Sequence, residues 1–193
     1  MKTAPKSTYK DYKHIQISRS DRKWNSSTFW NNVYTFKLII NDILSMIDIP
    51  KSICCMGIRN GNEYVAFKEL YSLKNTALYG VDINPKVTEV GTNCYCFDFT
   101  KLPKEWENKF DLVYSNSLDH ALNVQKTLKE WHRVCRGYLV LGMSSGTGVS
   151  LSDRNSFEID DIDDLFNDDL FQVIKVWDRI DKMHEFTVLL KVK

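Results

Sequence analysis

Two glycines and an aspartate stand where a nucleoside could be bound. Gly57 and Gly61 bracket a short turn after the apolar run at 52–56, and Asp82 ends the next apolar run, 21 residues after Gly61. Glycine lets a backbone turn tightly and approach a ligand, and a carboxylate at the second strand end can accept both hydroxyls of a ribose. Each feature alone also fits a plain tight turn or a helix N-cap, but together they predict nucleoside binding.

A second carboxylate follows the third apolar run. Asp98 could accept a hydrogen bond from an adenine amino group, while Phe99 or Ile83 packs on the face of the base. Asp98 could equally cap the turn at Thr100, because aspartate readily bonds to a backbone N–H two residues further on. The residues leave both interpretations open.

These side chains lie at the ends of short apolar runs that alternate with amphipathic segments. Such alternation predicts a parallel β-sheet with helices on both faces, connected by right-handed crossovers. Ligands of such sheets bind beyond the carboxyl ends of the strands, where the glycine turn and both aspartates fall. The last two runs, joined by a polar link at 178–184, predict an antiparallel pair. The predicted strands are 52–56, 77–81, 93–97, 110–114, 137–142, 171–177 and 185–192, and the predicted helices are 62–73, 124–135 and 160–166.

The N-terminal quarter of the chain has a different character. Residues 1–27 carry seven Lys or Arg against two acidic residues and predict an irregular basic arm. The apolar periodicity of 29–47 predicts an amphipathic helix that ends before Pro50. We therefore divide the chain into 1–49, a basic arm and amphipathic helix that form a lid on the substrate side, and 50–193, the ligand-binding domain.

Composition limits the possible function classes. The 193 residues carry 26 Lys or Arg and 25 Asp or Glu, a net charge of +1, which does not suggest a general polyanion-binding protein. Five cysteines without a C-x-x-C pair fit neither a disulfide framework nor a zinc site. The acidic stretch at 151–170 is interpreted as a solvated loop and helix face. No apolar run has the length of a membrane span or the position of a secretion signal, so we expect a cytoplasmic protein.

Four motifs follow one another along the chain: CMGIRNGNE at 55–63, YGVDINP at 79–85, DF at 98–99 and FDLVYSNSLDH at 110–120. In order and spacing they resemble the class I, Rossmann-like S-adenosylmethionine-dependent methyltransferases, in particular a methyltransferase type 11-like subgroup with G-x-R-x-G-x-E and N-x-L-D-H motifs. The resemblance covers about residues 50–145. It implies a three-layer α/β/α fold with a mostly parallel sheet of order 3-2-1-4-5-7-6, in which strand 7 is antiparallel.

The resemblance also implies roles for individual residues. The glycine turn would line the methionine part of the cofactor S-adenosyl-L-methionine, Asp82 would hold the ribose, Asp98 and Phe99 the adenine, and residues 116–120 would border the methyl group. For this, Asp82 and Asp98 must face one cavity with an open mouth. The cofactor-binding residues implied in this way are Met56, Gly57, Ile58, Arg59, Gly61, Asp82, Ile83, Asp98, Phe99 and Asn116.

Two positions depart from the usual pattern of the family. Cys55 stands where the family usually has an acidic residue, and Arg59 stands where it usually has a glycine. A thiol lacks the charge of a carboxylate, whereas the Arg59 guanidinium could pair with the carboxylate of the cofactor. Arg59 could instead point to solvent or pair with Glu63, and Glu63 could serve only the N–H groups at the start of its helix.

A methyl acceptor that reacts through a hydroxyl needs a group to take its proton. His120 follows a strand end at the expected mouth, and Asp119 could orient it. Packing against the cofactor and helix capping are the alternatives for this catalytic pair. The segment 142–146 offers no carboxylate, so no metal is predicted.

The sequence thus predicts an enzyme that methylates a small molecule or a sugar hydroxyl by direct in-line displacement. The basic arm and the loop at 144–156 would hold this small-molecule or glycan acceptor. A cofactor-binding protein without turnover is a second hypothesis, which Cys55 and Arg59 support. A nucleic-acid methyltransferase is the third, since the basic arm suits it but no strong nucleic-acid motif is present.

Overall fold

The computed structural model of the chain describes residues 1–5, 7–24, 33–71, 75–143, 149–166, 169–178 and 186–193. Several predicted segments therefore lie partly outside the described residues. They are the start of the helix at 29–47, the end of the helix at 62–73, most of the polar link at 178–184 and part of the loop at 144–156.

The centre of the molecule is a β-sheet of seven strands. The strands of the described residues are β1 Lys2–Thr3, β2 Ser52–Met56, β3 Ala77–Asp82, β4 Cys94–Cys96, β5 Phe110–Ser115, β6 Cys135–Met143, β7 Asn155–Ser156, β8 Phe171–Asp178 and β9 Phe186–Val192. Seven of these nine strands form the central sheet in the order β4-β3-β2-β5-β6-β9-β8, and β9 runs antiparallel to both of its neighbours. Numbered along the chain within this sheet, the order is 3-2-1-4-5-7-6, so the predicted topology is confirmed.

The register of the parallel strands brings their carboxyl ends to one edge. Met56 of β2 lies beside Val81 of β3 and beside Ser115 of β5. Because the three strands end together, the glycine turn, Asp82 and the segment after β5 meet at this edge of the sheet.

Helices cover both faces of the sheet and give the predicted three layers. The α-helices are α1 Tyr9–Lys23, α2 Val33–Leu44, α3 Asn62–Tyr71, α4 Val124–Val134 and α5 Asp161–Phe166, and 3-10 turns form at Pro85–Glu89, Lys104–Trp106 and Leu118–His120. The buried residues of α2 and α3 form one core cluster with β2 and β5, whereas those of α4 and α5 form a second cluster on the opposite face. No helix in the described ranges combines the length and the apolar character needed to cross a bilayer.

The prediction of an irregular arm at 1–27 is wrong for most of its length, because α1 is a helix of 15 residues. Its N-terminus is capped by Thr8, whose Oγ1 accepts a hydrogen bond from the N–H of Asp11 at 3.2 Å. The side chains that α1 buries, Tyr12, Gln16 and Ser20, repeat every four residues but are mostly polar. A search for apolar periodicity therefore passes over this helix.

The described acidic side chains at 151–170 are exposed or partly exposed, as expected for a solvated loop and helix face, but residues between them are buried. β7 pairs antiparallel with β1, and the nearly buried Arg154 guanidinium donates hydrogen bonds to the carbonyl of Pro5 at 2.7 Å and to the hydroxyl of Ser7 at 3.1 Å. The first residues of the chain are thus attached to the segment after β6. This attachment sets where α1 begins.

Candidate active site

The glycine turn between β2 and α3 has a backbone that requires glycine at both ends. Gly57 has φ +75° and Gly61 has φ +84°. A Cβ atom on Gly57 would lie 2.6 Å from Cβ of Ser117, and one on Gly61 would lie 2.2 Å from Cγ1 of Val90. Between them Arg59 also adopts a left-handed conformation, with φ +46°. The turn is therefore held by close contacts in addition to its own conformational preference.

Asp82 at the end of β3 connects this turn to the next one. Its Oδ2 accepts a hydrogen bond from the N–H of Arg59, and its Oδ1 accepts one from the N–H of Asn84, both at 2.8 Å. Burial raises the pKa of Asp82, and these N–H groups together with the Arg59 charge oppose that rise. Each carboxylate oxygen keeps a further lone pair, so the group can still accept the hydroxyls of a ligand.

The two carboxylate oxygens of Asp98 bind different partners, Thr100 in the following turn and Tyr9 on α1. Its Oδ1 accepts hydrogen bonds from the N–H and the hydroxyl of Thr100, at 2.8 and 2.7 Å, so it does cap the turn. Its Oδ2 accepts a hydrogen bond from the hydroxyl of Tyr9 on α1 at 2.7 Å. Phe99 packs edge to face against Trp131 of α4, with ring centroids 5.5 Å apart. The cap therefore leaves one carboxylate oxygen directed to the α1 side.

A buried charge lies behind the glycine turn. Glu63 in the first turn of α3 is 5% exposed, and its Oε1 accepts a hydrogen bond from Nδ2 of Asn116 at 2.8 Å. Burial raises the pKa of Glu63 to about 7, and the positive charge of Arg59 opposes that rise. Cys55 is fully buried in the cluster beneath α2 and α3. Glu63 is therefore the acidic group of this turn, a role that sequence reasoning did not give it.

His120 lies in a network of charged groups at the other end of the edge. Its Nδ1 lies 3.1 Å from the carbonyl oxygen of Ser152, and Nη1 of Arg19 lies 2.6 Å from its Nε2. Because a carbonyl can only accept, the Ser152 contact favours the tautomer with the proton on Nδ1, although Nη1 of Arg19 also lies 2.9 Å from that nitrogen. Arg19 also forms an ion pair of 2.6 Å with Asp153. Burial and the nearby positive charges of Arg19 and Arg59 hold the pKa of His120 well below its usual range, so the ring is neutral.

Asp119 lies beside this imidazole, with one carboxylate oxygen 3.5 Å from Nδ1 of His120. Burial, followed by the charge of Asp153, raises the pKa of Asp119 to about 7. Ligand atoms of Asp119, His120 and Asp153 lie within 4.8 Å of one another, close enough for one cation. The Arg19 guanidinium already supplies a positive charge there, and the expectation of no metal stays a prediction.

One cavity joins most of these groups. Of the residues predicted to bind cofactor or to act in catalysis, Gly57, Arg59, Asp82, Ile83, Asp98, Phe99 and His120 line it. The cavity measures only about 40 Å³, because α1 lies across its mouth. The expectation of an open mouth is therefore wrong for this state of the chain. The lining residues that the sequence did not reveal are Gln16, Arg19 and Ser20. Tyr12 belongs to the arm expected on the acceptor side, and Ser117 to the segment 116–120 expected beside the methyl group.

The remaining predicted residues lie around the cavity and do not line it. Met56 is buried in the core cluster on the α4 side, and Ile58 in the cluster on the α3 side. Gly61 contacts the side chain of Val90. Asn116 binds Glu63, and Asp119 stands behind His120.

Comparison with known proteins decides the family. Residues 55–141 match the family model described as a methyltransferase domain. Within these residues the chain carries a methyltransferase domain, and its fold is that of solved S-adenosylmethionine-dependent methyltransferases. S-adenosylmethionine is the cofactor of this methyltransferase domain. A search of curated proteins gives no match.

Solved structures share the fold of this methyltransferase at low sequence identity. The magnesium protoporphyrin IX methyltransferase of Synechocystis PCC 6803 with bound cofactor has a TM-score of 0.67 at 14% identity, over 98% of this chain and 100% of that one. A S-adenosylmethionine-dependent methyltransferase of Clostridium acetobutylicum has a TM-score of 0.63 at 13% identity, over 95% and 98% of the two chains. The [4+2]-cyclase SpnF has a TM-score of 0.60 at 11% identity, over 80% of each chain. The fold alone therefore does not name the reaction or the acceptor.

The polar groups of the candidate site fit this cofactor, although the cavity volume does not. Asp82 and Asp98 face one cavity, and a cation and an anion, Arg59 and Glu63, lie at the glycine turn. A ligand of nucleoside size needs several hundred Å³. Binding therefore requires the cavity to enlarge, through movement of α1 or of the side chains that line the cavity.

Proposed function

We propose that this methyltransferase transfers a methyl group to a hydroxyl of a small molecule or a sugar. One observation carries the proposal. The cavity lined by Asp82 and Asp98 is also lined by His120, whose ring is neutral. An acceptor placed beside the cofactor's methyl group would thus meet a neutral imidazole, whose basicity recovers when the Arg19 guanidinium moves away.

The proposed cofactor contacts follow from the chemistry of the polar groups at the site. Asp82 accepts the ribose hydroxyls, and Oδ2 of Asp98 accepts the adenine amino group. The amino-acid end of the cofactor is a zwitterion, and the Arg59–Glu63 pair offers the complementary charges. Arg59 receives its carboxylate, and Glu63 supplies the negative charge that Cys55 cannot. Phe99 packs against the base.

The chemistry of the bound cofactor is an electrophilic methyl group on a cationic sulfur. The contribution of the chain is alignment for in-line attack and a place for the acceptor's proton. Nε2 of His120 takes that proton once the Arg19 guanidinium has moved off it. Asp119 and Asp153, both within 3.5 Å of Nδ1, stabilise the imidazolium that forms.

The acceptor class rests on the size of the site and on one neighbour. Helix α1 covers the end of the cavity at His120, where the acceptor is proposed to bind, as well as the cofactor end, because its Arg19 contacts His120. A compact acceptor fits beneath such a roof more readily than a long polymer. The porphyrin methyltransferase of Synechocystis, which matches along its full length, acts by its name on a small molecule.

A cofactor-binding protein without turnover is the second candidate. The engagement of both ring nitrogens of His120, by Ser152 and Arg19, favours it. Transfer of labelled methyl groups to a panel of sugars and hydroxylated metabolites separates the two candidates. Product formation supports the enzyme, and cofactor binding without any product across the panel supports the binder.

Calorimetric titration with S-adenosylhomocysteine tests the shared premise. We expect Asp82→Ala to weaken binding by about a hundredfold, since two charge-assisted hydrogen bonds are lost. The exposed Asp48 serves as the matched control, and Asp48→Ala should bind as the parent chain does. Equal affinities of all three proteins would refute the ribose assignment.

A further inference from the structure

Helix α1 contributes one wall of the cavity. Tyr12, Gln16 and Ser20 are nearly buried, lie at successive four-residue intervals, and line the cavity together with Asp82 and Asp98. Their polar atoms therefore face the groups proposed to hold the cofactor.

Separate polar contacts fasten α1 across the mouth. The hydroxyl of Tyr9 donates to Asp98 at 2.7 Å, and Nδ2 of Asn84 donates to Oδ1 of Asp21 at 3.1 Å. Near the middle, Nε2 of Gln16 donates to the carbonyl of Ser152 at 2.8 Å. Contacts of this kind, partly exposed to water, each contribute little free energy. Opening of the helix also breaks the contacts of Arg19 with His120 and Asp153, so a bound ligand must replace these interactions.

The hydroxyl of Ser20 lacks a partner. Ser20 is 7% exposed, and its Oγ forms no hydrogen bond with any residue the structure describes. A buried hydroxyl without a partner is uncommon because it loses its water without replacement. Since Ser20 lines the cavity, the missing partner is expected to be a ligand there.

The Tyr9 contact has a particular meaning if Asp98 holds adenine. Oδ2 of Asp98 accepts the Tyr9 hydroxyl in the closed chain, and it is the oxygen that the adenine amino group would need. The Tyr9 hydroxyl fills one of the two lone-pair directions of Oδ2, and the adenine role proposed for Asp98 assigns that same direction to the adenine amino group. Closure of α1 in the free chain would then compete with cofactor binding.

We propose that α1 is a lid of the cofactor site, in which the Ser20 hydroxyl is a cofactor ligand and the Tyr9–Asp98 hydrogen bond is a self-contact that adenine replaces. This rests on the adenine role given to Asp98 under the proposed function. The lid opens to admit the cofactor and closes over it with Tyr9 displaced.

Tyr9→Phe tests the self-contact. We expect the dissociation constant for S-adenosylhomocysteine to fall by about three- to tenfold, since the closed competitor loses a charge-assisted hydrogen bond. Amide hydrogen exchange at 9–23 in the ligand-free chain should become faster as well. Tyr138→Phe, at the opposite end of the sheet, should change neither quantity. Unchanged or weaker binding by Tyr9→Phe would overturn the self-contact.

Ser20→Ala tests the ligand role, with Ser18→Ala as its control two residues away on the same helix and outside the cavity lining. We expect Ser20→Ala to weaken binding of S-adenosylhomocysteine by about three- to tenfold and Ser18→Ala to leave it unchanged. Equal affinities of Ser20→Ala and the parent chain would contradict the proposal.

Asp98→Asn separates this proposal from the function beneath it. Weak binding by Asp98→Asn, together with unchanged binding by Tyr9→Phe, rejects the lid and keeps the adenine role. Unchanged binding by Asp98→Asn rejects the adenine role itself, and the self-contact with it.

Discussion

The proposed placement of the cofactor ammonium group at Glu63 would make cofactor binding a proton-linked reaction. In the free chain burial raises its pKa from 4.5 to about 7. A cofactor ammonium group beside Glu63 would favour its charged form, so binding would expel the proton. At pH 7 about half a proton should leave per site, and the affinity for S-adenosylhomocysteine should rise about tenfold between pH 6 and pH 8.

Glu63→Gln removes this linkage. The variant should bind about tenfold more weakly than the parent at pH 8, whereas the two should converge near pH 6, where the parent's Glu63 is mostly protonated. The assay is calorimetry at pH 6, 7 and 8, in phosphate and in Tris, because buffers with different ionisation heats report the protons released.

A second group with a similar pKa serves as the control. Asp119→Asn removes the carboxyl whose pKa is also raised to about 7, but that carboxyl lies beside His120 and should leave the tenfold pH effect in place. The same pH dependence in the parent and in Glu63→Gln would refute the placement of the ammonium group at Glu63.

Three further changes have expected outcomes. Because the pKa of Glu63 is higher folded than unfolded, its charge destabilises the fold above about pH 5, and Glu63→Gln should raise the unfolding free energy by about 3 kcal/mol more at pH 8 than at pH 4, measured by urea denaturation. His120→Ala should lower turnover by about a hundredfold or more while cofactor affinity changes less than about threefold, and a loss confined to affinity would favour packing instead. Gly57→Ala should cost about 1–3 kcal/mol of stability, since its Cβ would lie 2.6 Å from that of Ser117, whereas Gly91→Ala, whose Cβ would lie 3.0 Å from the Tyr64 hydroxyl, should cost less. Equal losses for the two glycines would contradict the steric argument.

The sheet could be predicted because its strands have a recognisable sequence pattern. β2 and β5 are short apolar runs with turn residues behind them, and buried parallel strands have this pattern. Their order followed from the family resemblance, which the comparisons support. The two-residue strands β1 and β7 leave no such pattern, because two residues show no periodicity.

α1 could not be predicted for a physical reason. Its inner face packs against a polar cavity, so Gln16 and Ser20 occupy positions that are apolar in an ordinary amphipathic helix. The signal that could have revealed it is the Thr8 cap, three residues before Asp11. The inward-facing residues of a helix that covers a ligand site are selected to contact the ligand, so they need not be apolar as in a helix that packs on the core.

The sequence predicted which residues lie at the candidate site better than it predicted the side chains that they contact. Gly57, Asp82 and Asp98 reach one cavity because three parallel strands end together. The contact of Arg19 with His120 spans 101 positions along the chain and depends on α1. Only the folded chain could show that contact.

The most direct test is a crystal structure of the chain with S-adenosylhomocysteine. We expect the ribose hydroxyls within hydrogen-bond distance of Asp82, the adenine amino group on Oδ2 of Asp98 in place of the Tyr9 hydroxyl, and a cavity enlarged by movement of α1. Adenosine bound elsewhere, or bound with the Tyr9–Asp98 hydrogen bond intact, would contradict it.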